Sequence, residues 1–282
     1  MILRAILIAV LCSILGHLPA LAAPERLSSA AMAACIRDPR CERVFVVAHR
    51  GEGFGAPENS RTAVTRAVQA GVPVVEIDLR GTQDGELFVI HDGRLERATT
   101  AQGRVESTPA AAVAAARLSN GETVPRFSDI YELTRGRALL SVDFKTEPIA
   151  LARIADWIHR NGSFDDLVFF VNTGEEMMAA AQIKRRYPAM IVMVRLLDTR
   201  VTVESTRKIF GRLPEIFHTD RVGGGEVARL HALGVKVYMS GLPLDRWFEP
   251  FRNVAYWWLL RAHADFVLTS DPMTLMRRIG PR

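Results

Sequence analysis

Two histidines of the sequence each follow directly on a short apolar run. His49 follows the run Val44–Ala48, and His91 follows the run Leu87–Ile90. A pair of imidazoles can act as general base and general acid near neutral pH, so both are candidate catalytic residues. Arg50 adds a fixed positive charge beside His49, and its planar guanidinium suits a phosphate group.

Three carboxylates alternate with apolar residues in two further strand-like runs. Glu76 and Asp78 lie in one run, and Asp143 lies in another. Strand side chains alternate between two faces, so these carboxylates occupy polar faces that converge if the strands are neighbours. Gathered like charges are costly unless a cation joins them, and Mg2+ and Ca2+ prefer oxygen ligands. The pattern predicts a divalent metal site or, alternatively, ion pairs with Lys145 or Arg80.

The predicted secondary structure around these side chains alternates between strand and helix. Strands that precede helices are predicted near residues 46, 76, 141, 169, 191, 216, 237 and 267. This alternation indicates an α/β protein with a parallel sheet, and eight units predict a single-domain (β/α)8 TIM barrel with its chemistry at the carboxyl ends of the strands. The alternative is an open doubly wound sheet, which lacks a Gly-x-Gly-x-x-Gly turn after the first strand. One helix is predicted to span Ser128–Arg135 with Ser128 as its N-cap.

The first residues have the features of an export signal. Arg4 precedes the apolar run Ala5–Gly16, and Ala20-Leu21-Ala22 fits the small-x-small cleavage pattern. We interpret residues 1–22 as a signal peptide, residues 23–43 as an N-terminal lead-in and residues 44–282 as the barrel. The protein is therefore expected to be exported, either periplasmic or secreted, without stable membrane insertion after cleavage; the alternative is an uncleaved membrane anchor.

The cysteine count agrees with export. Removal of residues 1–22 leaves only Cys35 and Cys41, which form either a disulfide or two free thiols. The formal net charge of the whole chain is +5, and its basic residues are scattered rather than arranged in a stripe. This distribution argues against a nucleic-acid partner, and the mild positive bias fits an anionic small substrate.

Several motifs together resemble the glycerophosphodiester phosphodiesterase family. They cover about residues 44–280, nearly all of the chain after the signal peptide. The matching residues are His49-Arg50-Gly51, Pro57-Glu58-Asn59-Ser60, Glu76-x-Asp78, Thr82-x-Asp84-Gly85, His91-Asp92, Arg97, Val124-Pro125-x-Phe127 and Ala264 to Pro272.

The resemblance implies metal-dependent hydrolysis of glycerophosphodiesters to glycerol phosphate and an alcohol. It implies that His49 and His91 are the acid–base pair. It assigns the metal, Mg2+ or Ca2+, to Glu76, Asp78 and the carboxylate of the third strand. It assigns Arg50 and Lys145 to the phosphate.

Two departures from the family pattern limit what it implies, the first about the metal and the second about the substrate. The family supplies its third ligand from a Glu-x-Lys sequence, whereas Asp143-Phe144-Lys145 stands here with a side chain one methylene shorter. The family often has Trp-Thr-x-Asn on the seventh strand, where this chain has Tyr238 to Gly241. The alternatives are a phosphodiesterase for another headgroup, such as a lysophospholipid, phosphoinositide or sugar-phosphate diester, and a non-enzymatic extracytoplasmic binding protein on the same scaffold.

Overall fold

The structure is a computed structural model that describes residues 26–146, 149–196, 202–220, 224–245 and 249–280. The expected signal peptide, residues 1–22, lies outside the described residues. None of the described helices is both long enough and apolar enough to cross a membrane.

Eight parallel strands in the described part of the chain close into a barrel, because the first strand pairs with both the second and the last. The predicted (β/α)8 TIM barrel is therefore confirmed. An additional strand, β3, runs antiparallel to β2 as a hairpin at the barrel rim. The strands are β1 Phe45–Ala48, β2 Val74–Gly81, β3 Leu87–Val89, β4 Leu139–Phe144, β5 Leu167–Val171, β6 Ile191–Arg195, β7 Ile216–His218, β8 Lys236–Ser240 and β9 Phe266–Thr269.

One helix precedes the first strand, and the others follow or connect the strands, most of them on the outside of the barrel. They are α1 Ser29–Arg37, α2 Arg61–Gln69, α3 Ala110–Ala115, α4 Phe127–Thr134, α5 Ile149–Asn161, α6 Gly174–Arg186, α7 Val203–Phe210, α8 Gly224–Ala232, α9 Leu242–Asp245, α10 Glu249–Arg261 and α11 Pro272–Ile279. The predicted N-cap of α4 at Ser128 was wrong. The helix begins at Phe127 because the Asp129 carboxylate accepts a hydrogen bond from the backbone N–H of Arg126, 3.4 Å away.

The alternation of faces along β2 and β4 positions the site. The apolar residues Val75, Ile77 and Leu79 are completely buried in the core between the barrel and its helices. The opposite face carries Glu76 and Asp78, which are also buried. Since the outward face belongs to the helices, these carboxylates project into the barrel.

Helix α1 closes the amino-terminal end of the barrel. Its Met32 and Ala33 are fully buried against inward-facing apolar residues of the strands. A disulfide joins Cys35, near the helix end, to Cys41 in the segment before β1, with their Cα atoms 5.4 Å apart. Of the two alternatives left open by the sequence, the disulfide is therefore the one present, and the lead-in contributes directly to the barrel core.

The chain between β3 and α4 has a small apolar core of its own. Phe88, Leu95 and Val105 are fully buried in this cluster, together with residues around α3. His91 lies at the start of this segment, so a packed unit rather than a free loop holds it at the mouth of the barrel.

Candidate active site

The turn after β1 has an unusual backbone that directs the N–H of Arg50 towards the second strand. Arg50 has a φ of 51°, which is uncommon for a residue with a side chain. Its backbone N–H donates to Oε2 of Glu76 over 3.0 Å. Gly51 follows with a φ of 68°, and a Cβ there would lie 3.1 Å from the backbone of Ala63 in α2. Only glycine lets the turn approach the helix this closely.

Three buried carboxylates converge at the carboxyl ends of β2 and β4. Asp78 and Asp143 are direct partners in the parallel register of these strands. One oxygen atom from each of Glu76, Asp78 and Asp143 can be chosen so that all three lie within 4.8 Å of one another. These are the same residues that were predicted from the sequence as metal ligands, and the structure brings all three together.

The three buried carboxylates of this cluster together favour the binding of a positive charge. Burial and then the charges of Asp78 and Asp143 raise the pKa of Glu76 well above its ordinary value. Burial also raises the pKa of Asp143, although Lys145 opposes the shift. Oxygen ligands at this spacing, with residual repulsion among them, fit a hard divalent cation such as Mg2+ or Ca2+.

Two cations partly compensate the carboxylates. Nζ of Lys145 lies 2.6 Å from Oδ2 of Asp143 and 3.6 Å from Oδ1 of Asp78. Nε of Arg50 lies 3.0 Å from Oδ2 of Asp78. The alternative of ion pairing with Lys145 is therefore observed, but two cations against three carboxylates still leave a net negative site. Arg80, the other predicted partner, turns away and binds Glu106 over 2.6 Å.

The first histidine is oriented by a carboxylate that the sequence analysis did not single out. Nδ1 of His49 donates to Oε2 of Glu52 over 2.7 Å, and the Ser270 hydroxyl donates to the same oxygen over 2.7 Å. The backbone N–H of Ser270 in turn donates to Asp245 over 2.6 Å. Burial alone would raise the pKa of Glu52, but the hydrogen bonds from His49 and Ser270 outweigh it and lower the pKa.

The second histidine has a comparable partner. Nδ1 of His91 donates to Oδ1 of Asp92 over 2.6 Å. Arg97 contacts Asp92 and also donates to Oε1 of Glu58 over 2.6 Å, which connects it to Arg50 through the same Glu58 oxygen. The hydrogen bond from Arg97 is the main reason why the pKa of Asp92 lies well below its ordinary value. In both histidines a carboxylate engages Nδ1, which leaves Nε2 as the nitrogen available for proton transfer.

Sequence reasoning missed three residues that the structure adds to the site. Glu52 lies three residues after His49, and an acidic residue so close to a candidate histidine could have been predicted as its hydrogen-bond partner. Asn172 follows directly on β5 and donates to Oδ1 of Asp143 over 2.8 Å. Like His49 and His91, it is a polar residue directly after an apolar run, so it could have been predicted in the same way. Ser270 lies 218 residues from its partner Glu52, and only the closed barrel brings the two together.

Comparison with known proteins places the chain in a family. Residues 49–274 match the glycerophosphoryl diester phosphodiesterase family, and the chain belongs to it. A glycerophosphodiester phosphodiesterase of Caldanaerobacter subterraneus subsp. tengcongensis is 30% identical over 112 residues, which are 37% of this chain and 46% of that protein. Glycerophosphodiester phosphodiesterase 1 of Bos taurus is 41% identical over 64 residues, 23% of this chain and 19% of that protein. These matches span less than half the length of either relative.

Solved structures share the fold over most of the chain. A glycerophosphoryl diester phosphodiesterase from Parabacteroides distasonis superposes with a TM-score of 0.73 at 20% identity, covering 90% of this chain and 92% of that one. A phosphodiesterase from Oleispira antarctica, solved with the product sn-glycerol-3-phosphate, has a TM-score of 0.69 at 19% identity and covers 86% of this chain and 98% of that one.

Proposed function

We propose that the protein hydrolyses glycerophosphodiesters to glycerol phosphate and an alcohol with the help of a divalent metal ion. The observation that carries the proposal is the buried cluster of Glu76, Asp78 and Asp143, which the turn bearing His49 contacts through the backbone of Arg50. Two acid–base groups and a cation site are the parts that phosphoryl transfer between oxygens requires. Membership of the family supports the same reaction class.

Glu76, Asp78 and Asp143 would hold the metal. When bound, a divalent cation neutralises charge on a phosphate oxygen and lowers the pKa of a neighbouring hydroxyl. Arg50 and Lys145 supply two further positive charges beside these carboxylates, so they would bind and orient the phosphate group. Ion pairs with Asp78 and Asp143 hold the Arg50 and Lys145 side chains in place before the substrate binds.

The two histidines would move the protons. One takes the proton of the glycerol 2-hydroxyl as its oxygen forms a bond to phosphorus, and the other gives a proton to the alcohol oxygen as its bond to phosphorus breaks. The products of this step are the free alcohol and a cyclic glycerol phosphate. Water then opens the cyclic phosphate with the two histidines in reversed roles. Glu52 and Asp92 hold the rings with Nε2 available throughout.

Turnover by the purified protein tests the proposal. Glycerophosphocholine and glycerophosphoethanolamine would be incubated with the protein after chelation and after addition of Mg2+ or Ca2+. We expect release of the alcohol only with added metal and none from Glu76→Gln. Binding without turnover by the metal-loaded protein would contradict the proposal and favour the binding-protein alternative.

We also propose that the protein is exported, to the periplasm or beyond the cell, after removal of residues 1–22. The disulfide between Cys35 and Cys41 supports this location, because such bonds persist in oxidising compartments. Mass spectrometry of protein recovered from cell fractions would test it. The expected result is an extracytoplasmic chain that lacks the first 22 or 23 residues; full-length protein confined to the cytoplasm would contradict it.

A further inference from the structure

One buried histidine inside the barrel has no role in the site described so far. His218 ends β7 and is 4% exposed, and neither of its ring nitrogens has a hydrogen-bond partner among the described residues. Its Nε2 lies 3.5 Å from Oδ1 of Asp220, which is a long contact rather than a hydrogen bond. Leaving such buried groups unpaired destabilises the folded protein, so native proteins retain them mainly where something else pairs with them.

The surroundings of His218 keep its ring neutral and fixed. Burial is the main cause that lowers the pKa of His218 to about 4. The ring packs edge-on against Phe170 and Tyr238, with centroids 5.3 Å away in both cases. A neutral imidazole presents one N–H donor and one nitrogen acceptor. That pair of functions matches a hydroxyl group, which also donates and accepts.

A second pair of polar residues lies beside this histidine. Arg195 is the cross-strand partner of His218 in the β6–β7 register. Its Nη2 donates to Oδ2 of Asp220 over 2.7 Å, while its buried Nε has no hydrogen-bond partner in the described part of the chain. Arg195 and His218 therefore both offer unused donors at the same part of the barrel mouth.

This group is continuous with the carboxylate cluster. Val171 pairs with Val194, so the residues that follow them, Asn172 and Arg195, lie side by side at the ends of β5 and β6. Asn172 donates to Oδ1 of Asp143 over 2.8 Å. Two strand spacings of about 4.8 Å each separate β4 from β6, roughly 10 Å along the wall. If the phosphate of a diester binds at the carboxylates, the leaving alcohol on the other side of the phosphate can reach Arg195.

We propose that His218, Arg195 and Asp220 form a subsite for the leaving alcohol of the substrate, and that this alcohol is a polyol such as glycerol or inositol. The assignment rests on the proposed function and adds the substrate class to it. Hydroxyls would pair with the imidazole and with the unused guanidinium N–H. A quaternary ammonium headgroup would gain neither bond, and Arg195 would repel it, while the nearby Asp220 carboxylate is already engaged by Arg195.

Substrate discrimination by the metal-loaded protein tests the subsite. The specificity constant kcat/KM would be measured for glycerophosphoglycerol and glycerophosphoinositol, and separately for glycerophosphocholine. We expect the wild type to favour the polyol diesters by at least about tenfold, because a site with buried polar groups discriminates against ligands that leave them unpaired. His218→Phe removes both nitrogens but keeps a ring among aromatic neighbours, so it should fold. It should lower the polyol-to-choline ratio by at least about tenfold.

Two further variants complete the test. Arg195→Met should lower the same ratio by about threefold or more. His159→Phe makes the matching change on the outer face of α5, where His159 packs on Tyr187, and should leave both rates at the wild-type level. An unchanged ratio in both His218→Phe and Arg195→Met would overturn the subsite alone. A wild type that favours glycerophosphocholine would also overturn it. A wild type that cleaves none of these diesters would overturn the proposed function together with the subsite.

Discussion

The two ends of the barrel treat their buried polar groups in opposite ways. At the amino-terminal end, the Asp166 carboxylate accepts hydrogen bonds from the Ser29 hydroxyl, from the Tyr131 hydroxyl over 2.6 Å and from the backbone of Gly136 over 2.9 Å. At the carboxyl end, three carboxylates repel one another, and His218 has no hydrogen-bond partner among the described residues. Among the described residues, the chain itself supplies the partners of Asp166 but not those of the carboxylate cluster and His218.

This difference indicates which end is built for stability and which for binding. A polar group with a full set of internal partners stabilises the fold, whereas charges and donors left over in a buried site await an external partner. Substitutions at the carboxyl end should therefore lower activity, and substitutions of the buried polar groups at the amino-terminal end should lower stability.

Removal of the proposed metal ion should have the largest effect on activity. Thorough chelation should abolish diester hydrolysis, and Mg2+ or Ca2+ should restore it, because Glu76, Asp78 and Asp143 repel one another without a cation. The addition of metal should also raise the melting temperature, since a ligand that binds only the folded state stabilises it. Activity that is unchanged after chelation would contradict the proposed metal site at the carboxyl end.

Loss of either candidate catalytic histidine should be the next largest effect. His49→Ala and His91→Ala should each lower kcat by at least about 100-fold, the value typical of a lost general acid or base. Both should unfold close to the wild-type temperature. A diester with a strongly acidic leaving alcohol should recover activity in only one of the two variants, because such an alcohol leaves without a proton. Full activity in either variant would contradict the pairing.

Loss of the buried carboxylate at the opposite end should affect stability instead. Asp166→Ala leaves the Ser29 and Tyr131 hydroxyls without their acceptor and should lower the free energy of unfolding by about 2 kcal/mol. Asp165→Ala is the matched control, because Asp165 is half-exposed and makes one ion pair with Arg37. It should cost less than about 1 kcal/mol. Urea unfolding measures both, and a large loss of kcat per folded molecule in Asp166→Ala would contradict the division between the two ends.

The smallest expected effect is pH-dependent and concerns Arg97. The Arg97 hydrogen bond lowers the pKa of Asp92, so the ionised carboxylate adds stability that is fully present above its ordinary value near 3.8. That stability is lost as the pH falls through the lower pKa of the folded state. Arg97 is half-exposed, so Arg97→Met should cost less than about 1 kcal/mol at pH 6.

The difference between Arg97→Met and wild type should shrink as the pH falls below about 4. Urea unfolding at pH 6 and pH 3 measures this change. Arg94→Met, at an exposed residue that pairs with Glu96, is the control and should show a smaller difference. A difference that grows towards acid pH would contradict the assigned role of Arg97.

The fold and the carboxylate cluster could be predicted from the sequence because both depend on short-range periodicity. The alternation along β2 and β4 predicted that Glu76, Asp78 and Asp143 share inward faces, and the strand register then pairs Asp78 with Asp143. The contact between Ser270 and Glu52 depends instead on closure of the barrel. The start of α4 was misplaced because Ser128 is a good N-cap by type, but Asp129 caps the backbone one turn earlier.

The helix that closes the amino-terminal end has a consequence for the order of folding. The disulfide partners of α1 and its neighbouring segment lie only six residues apart, so that link can form as soon as both cysteines are oxidised. Some partners of α1 are close in the chain, such as Phe45 and Val47 of β1, but others come much later, with Asp166 137 residues beyond Ser29. The helix therefore cannot complete its docking until the central strands have assembled. Hydrogen exchange at the α1 amides during refolding would then report the closing step of the barrel.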